Sequence, residues 1–120
     1  MERTRRLDSQ SLQDWTVTQE KVEAAIHRIV DIIHPRKLIL FGSYVCGGQH
    51  QNSDLDILVI TGDHIDNPRR ESVRIRRALR DIGMSMDILV VPESRWDELK
   101  ERPGLVYREV HRNGRVVYAA

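Results

Sequence analysis

Apolar residues recur along the chain with two periods, and the switches between them lay out the elements. From Thr18 to Ile33, Val22, Ile26, Ile29 and Ile33 are spaced four, three and four apart. That spacing puts them on one stripe of an amphipathic helix. Thr16 or Thr18 supplies its N-cap, and Pro35, preceded by His34, ends it. Lys37–Phe41 is a short branched run that fits a buried strand. It stops at Gly42-Ser43, where a short helix is expected to reach Val45 or Cys46 before a polar loop over Gly47–Asn52. Leu55–Ile60 reads as a second strand, followed by a loop from Gly62 to Pro68. Arg69–Ile82 predicts a helix that buries Ile75, Ala78, Leu79 and Ile82, with Gly83 closing it. Met84–Val91 predicts a third strand. A helix from Glu93 to Lys100 packs Trp96 and Leu99 on the sheet. Pro103–Val110 reads as a last helix with proline near its start, and Asn113-Gly114 turns into a final strand, Arg115–Tyr118. Strands alternating with helices predict an α/β (α+β) fold, a small sheet with flanking helices.

The chain has 120 residues, so one core is expected. Residues 18–120 form that domain and residues 1–17 precede it as an N-terminal extension. The extension carries Arg3, Arg5 and Arg6, then Leu12 and Trp15. It reads first as a frayed segment, the alternative being an arm that meets a partner through Leu12 and Trp15. The formal net charge of +1 lacks the basic surplus of a nucleic-acid binder and argues against direct nucleic-acid binding. Cys46, the single cysteine, has no internal disulfide partner, which fits a reducing cytoplasm. No apolar run approaches the ~18–20 residues of a membrane span, and no secretory leader pattern is present. Nothing in the pattern decides the oligomeric state; a homo-oligomer stays open. His27 and His34 have no ligand-like partners and read as ordinary helix residues.

The chemistry concentrates between Leu38 and Val59. Side chains alternate along a strand, so Asp54 and Asp56 point the same way. Two carboxylates on one face need a positive partner, and an all-oxygen donor set suits magnesium. Asp87 interrupts the otherwise apolar Met86–Val91 and offers a third acid. Gly42 lets a ligand approach the backbone, and the Ser43 hydroxyl with neighbouring N–H groups favours a phosphate. A phosphate cradle beside a metal-binding acid pair points to metal-assisted nucleotidyl or phosphoryl transfer. The helix over Arg69–Ile82 is strongly basic, with Arg69, Arg70, Arg74, Arg76, Arg77 and Arg80. It reads either as a solvated face or as a docking surface for an acidic partner or an RNA backbone.

Gly42-Ser43, ten residues, then Asp54-Leu55-Asp56 resembles the signature of the DNA polymerase β nucleotidyltransferase superfamily, and in size its minimal nucleotidyltransferase (MNT) branch. The resemblance covers about Val22 to Tyr118. It implies a mixed sheet, two magnesium ions held by the catalytic acids Asp54, Asp56 and Asp87, and phosphates held by Gly42, Ser43 and Ser53. It further implies ATP as substrate and AMP transfer to a tyrosine hydroxyl of a HEPN-type toxin, with the chain acting as antitoxin. Where the family often has arginine two positions after Tyr44, this chain has Cys46, which removes a charge-assisted phosphate contact. Two alternatives remain: a feebly catalytic module that neutralises a toxin by masking it, and a small-molecule, aminoglycoside-type nucleotidyltransferase. The short chain and near-neutral charge argue against a template-directed polymerase.

Overall fold

The computed structural model describes residues 16–46 and 54–120. Helix α1 (Gln19–Ile33) begins at Thr18, whose side chain accepts the Lys21 N–H, and ends at His34 in a left-handed conformation. Pro35 follows and prevents continuation. The buried stripe is Val22, Ala25, Ile29 and Ile33; Ala25 replaces Ile26, which is only partly buried.

Strand β1 (Lys37–Phe41) leads into the short helix α2 (Ser43–Cys46). Strand β2 (Leu55–Thr61) is buried almost throughout. Helix α3 (Pro68–Ala78) is capped by Asn67, whose side chain accepts the Arg70 N–H, with Pro68 in its first turn. It starts one residue before the sequence expectation and does not reach Ile82. The α-helix stops at Leu79 and the chain tightens into a 3-10 turn, Arg80–Ile82, closed by Gly83 at φ 70°. Ile75 and Leu79 are buried there, whereas Ala78 and Ile82 are only partly so. Strand β3 (Met86–Pro92) begins two residues later than expected, and α4 (Glu93–Leu99) buries Trp96 and Leu99. Helix α5 spans Val106–Asn113 rather than Pro103–Val110, because Gly104 takes φ +83°, a left-handed geometry that no α-helix contains. Strand β4 (Arg115–Ala119) closes the chain's course.

Among the described residues the strands form one four-stranded sheet in the order β3-β2-β1-β4. β1 runs antiparallel to β2 and β4, while β2 and β3 are parallel, so the sheet is mixed. The parallel step needs a crossover, which α3 provides. Alternation along β2 divides the interior in two. Leu55, Ile57 and Val59 join Leu38, Leu40, Ile88 and Val90 beneath α1 and α3. Leu58 and Ile60 join Ile39, Val91, Trp96 and Val110 beneath α4 and α5. Each fully buried Leu or Ile contributes roughly 1.5–3 kcal/mol. Polar clips fix α1 against α3: Arg28 donates to the Ala78 carbonyl at 2.9 Å and pairs with Asp81, while Lys21 donates to the Gly83 carbonyl. Trp96 meets the Tyr107 and His111 rings edge-on, tying α4 to α5.

Candidate active site

The register of three strands builds one row across the end of the sheet. Phe41 pairs with Asp56, and Asp56 with Asp87. Paired positions point to the same face, so the two carboxylates are lateral neighbours on adjacent strands. They extend the face that carries Leu58 and Ile60. Asp54 lies just before β2 and is exposed, on the same side as Asp56 by alternation.

Gly42 ends β1 with φ +80°, and a Cβ built there would collide with Oδ2 of Asp56. Glycine is therefore required twice, for the left-handed turn and for the close approach of the carboxylate. The turn passes into α2 through a Val45 N–H to Gly42 carbonyl bond of 3.2 Å. Ser43 opens that helix beside Asp56's strand end.

The two neighbouring acids differ sharply. Asp56 is half-buried, and its pKa is raised above 3.8 by burial first, then by the charges of Asp87 and Asp54. Asp87 is not the buried acid that its apolar surroundings in sequence suggest. It stands on an edge strand with 67% of its side chain exposed, and Arg76 of α3 donates to its Oδ1 at 3.0 Å. Arg76 also reaches the Ile88 carbonyl at 3.5 Å, so its guanidinium hooks over the rim of β3. Sequence reasoning marked α3 as basic without singling out Arg76. The spacing of eleven residues between the partners carries no local signal; only the α3 crossover brings them together.

Among the described residues no three His, Cys, Asp or Glu side chains are gathered closely enough to hold a metal ion. Asp56 and Asp87 are brought together, Asp54 flanks them, and Ser53 lies outside the described residues, as does the side chain of Cys46. The donor set nevertheless fits a hard cation in its chemistry. It is all carboxylate oxygen, and Asp56, raised first by burial and then by the charges of Asp87 and Asp54, is a carboxylate whose charge a divalent ion would compensate.

A mixed sheet with an acid pair facing a glycine turn defines a nucleotidyltransferase fold. The family model described as polymerase beta, nucleotidyltransferase matches residues 20–120, and the chain belongs to that family. A 33-residue stretch is 54% identical to the protein adenylyltransferase MntA of Shewanella oneidensis; it covers 28% of this chain and 24% of that relative's length. Two solved structures share the fold. One, a toxin–antitoxin with AMP-PNP, has a TM-score of 0.53 and 24% identity, over 87% of this chain and 75% of the other. The second is a toxin–antitoxin MntA–HpeT carrying two aspartate-to-glutamate substitutions two positions apart. Its TM-score is 0.52 at 22% identity, with the same shares covered. These matches agree with the minimal nucleotidyltransferase resemblance. Among the described residues no helix is long and apolar enough to cross a membrane.

Proposed function

We propose that the chain is a metal-dependent nucleotidyltransferase that moves AMP from ATP onto a hydroxyl of a partner protein. The partner we assign is a HEPN-type toxin, the acceptor a tyrosine, and the outcome neutralisation of that toxin. The observation that carries the reading is the direct pairing of Asp56 with Asp87 beside the Gly42 turn, which accepts no side chain because Asp56 fills that space. The matched stretch in an adenylyltransferase and the AMP-PNP of a fold neighbour support ATP as the donor.

Each residue then has a task. Asp54, Asp56 and Asp87 would hold the magnesium ions, which supply charge neutralisation for the phosphates and a lowered pKa for the attacking hydroxyl. Gly42 and Ser43 bind the β- and γ-phosphates through backbone N–H and hydroxyl donors. Ser53 joins them in this reading. Asp87, on the far side of Asp56 from the glycine turn, faces the acceptor and receives the hydroxyl proton as oxygen attacks the α-phosphorus. The α–β bridging bond breaks and pyrophosphate leaves from the Gly42 side. Arg76 must release Asp87 for this to happen.

The test is transfer of labelled AMP from ATP to the co-expressed partner, with Asp54→Asn/Asp56→Asn beside the wild type. Transfer should vanish in the variant; equal labelling by both proteins would sink the proposal. The Arg76–Asp87 pair favours a second reading, in which the acids are neutralised internally and the chain masks the toxin without chemistry. Neutralisation that survives replacement of all three aspartates would select it.

A further inference from the structure

The basic side of α3 lies against the acid row, and its arrangement indicates what it receives. Arg69, Val73 and Arg76 are spaced four and three apart, which aligns them on one stripe of α3, and Arg80 of the following 3-10 turn continues it by lining the same hollow as Arg76. Arg76 reaches Asp87, so the stripe runs beside the outer edge of β3. Two hollows flank Arg76 there. One of about 260 Å³ lies between Arg69, Ser72 and β3 residues 88–90. The other, about 220 Å³, lies between Arg76, Arg80, Met84 and Met86. From Arg69 to Arg80 the stripe extends for about 16 Å at the helical rise, the span of roughly five extended residues.

Arg69 and Arg80 have no carboxylate partner among the described residues; the nearby ion pairs take Arg74 to Glu71 and Arg76 to Asp87. Val73, between them, is 44% exposed. Unpaired cations around an exposed valine, with methionines in the groove, suit a polypeptide better than a nucleic-acid backbone. The chain's charge of +1 gives nucleic acid no general attraction. Position narrows the occupant further. Gly42 lies at the β1 end of the row and Asp87 two strands away, about 10 Å across the sheet. The groove therefore borders the acceptor side of the site, not the phosphate side.

We propose that the α3–β3 groove receives an extended acidic segment of the acceptor protein, beside the hydroxyl that is modified. This rests on the nucleotidyl-transfer reading, which assigns the Asp87 side to the acceptor. Acidic side chains bind Arg69 and Arg80, an apolar one covers Val73, and a carboxylate competing for Arg76 frees Asp87. Docking and exposure of the acid are then one event.

The probe is a fluorescein-labelled Glu-Glu-Tyr-Glu-Glu peptide, added to the full chain without ATP or divalent metal and followed by anisotropy. A Gln-Gln-Tyr-Gln-Gln peptide and a five-nucleotide RNA serve as comparisons. The acidic peptide should bind most tightly. Arg69→Glu/Arg80→Glu should weaken it by about tenfold or more, and Arg69→Gln/Arg80→Gln by less, with unchanged circular dichroism. Arg108→Glu/Arg112→Glu, an equal charge change on α5, should leave binding intact. Equal binding of the glutamine peptide, equal weakening by the α5 control, or tighter RNA binding lost with Arg69 and Arg80 would each overturn the proposal. AMP transfer is assayed separately. Absent acidic selectivity with transfer intact removes the groove alone; absent transfer with selective peptide binding removes the enzymatic reading alone.

Discussion

Asp56 and Asp87 occupy paired positions on adjacent strands, yet their surroundings are opposite. Asp56 rises from an inner strand, with Gly42 against its carboxylate and two like charges nearby. Asp87 stands on an edge strand, open to solvent and clipped by an arginine. One acid bears the electrostatic strain of the site and the other is already compensated. The difference comes from strand order, since an inner strand has neighbours on both sides and an edge strand leaves one flank to a helix.

The largest effect should come from removing the strained acid. Asp56→Asn should reduce AMP transfer by roughly a thousandfold or more. It should also stabilise the protein at neutral pH. Asp56 is raised in the folded protein above 3.8, so its contribution to stability is full below that value and lost as pH rises through the folded pKa. Asparagine suffers no such loss. Thermal melts should place the variant above the wild type at pH 7, with the gap closing as pH falls through the folded pKa toward 3.8. A variant less stable than wild type at pH 7 would contradict this account of Asp56.

Asp87→Asn should lower transfer by about a hundredfold but shift stability by less than about 1 kcal/mol, because exposed ion pairs contribute little. Denaturant melts of the two asparagine variants separate the strained acid from the compensated one. A loss of several kcal/mol at Asp87 would erase the contrast. Gly42→Ala tests the space beside Asp56 from the other side. The positive φ and the collision should destabilise the protein by about 2 kcal/mol and weaken ATP binding, read by urea melts and calorimetry. The smallest change is expected for Arg76→Ala. Stability should fall by about 0.5 kcal/mol while magnesium titration shows tighter binding, because Asp87 loses its internal counter-ion. Unchanged magnesium affinity would show that Arg76 does not compete for that carboxylate.

The sequence was informative where local chemistry decides. β1 follows its apolar run and α1 follows its stripe; Thr18 and Gly83 mark ends through a hydrogen bond or left-handed geometry, whereas the Asn67 cap of α3 is shown only by the structure. Asp56 and Gly42 stand out in the sequence as a candidate pair because glycine and paired carboxylates are costly in a sheet unless used, and the structure brings them together. Strand order was not legible, and the exposure of Asp87 depends on it; an apolar run around an acid reads alike on an edge or a central strand. Arg76 was hidden among six arginines of one helix, since its partner is set by the crossover. The last helix was misplaced because Pro103 suits a first turn, whereas Gly104 adopts a conformation that delays the helix to Val106.

Strand β2 carries a further consequence. It is paired on both sides, and Leu55 and Ile57 through Thr61 are all buried. Such backbone opens only with the whole domain, so the β2 amides should be the last to exchange with deuterated solvent. Asp56 thus keeps its bearing for as long as the chain stays folded. Control of the site by timing, by partner arrival or by motion has to act at its margins, at α3 and the β3 rim, whose more exposed residues should exchange sooner.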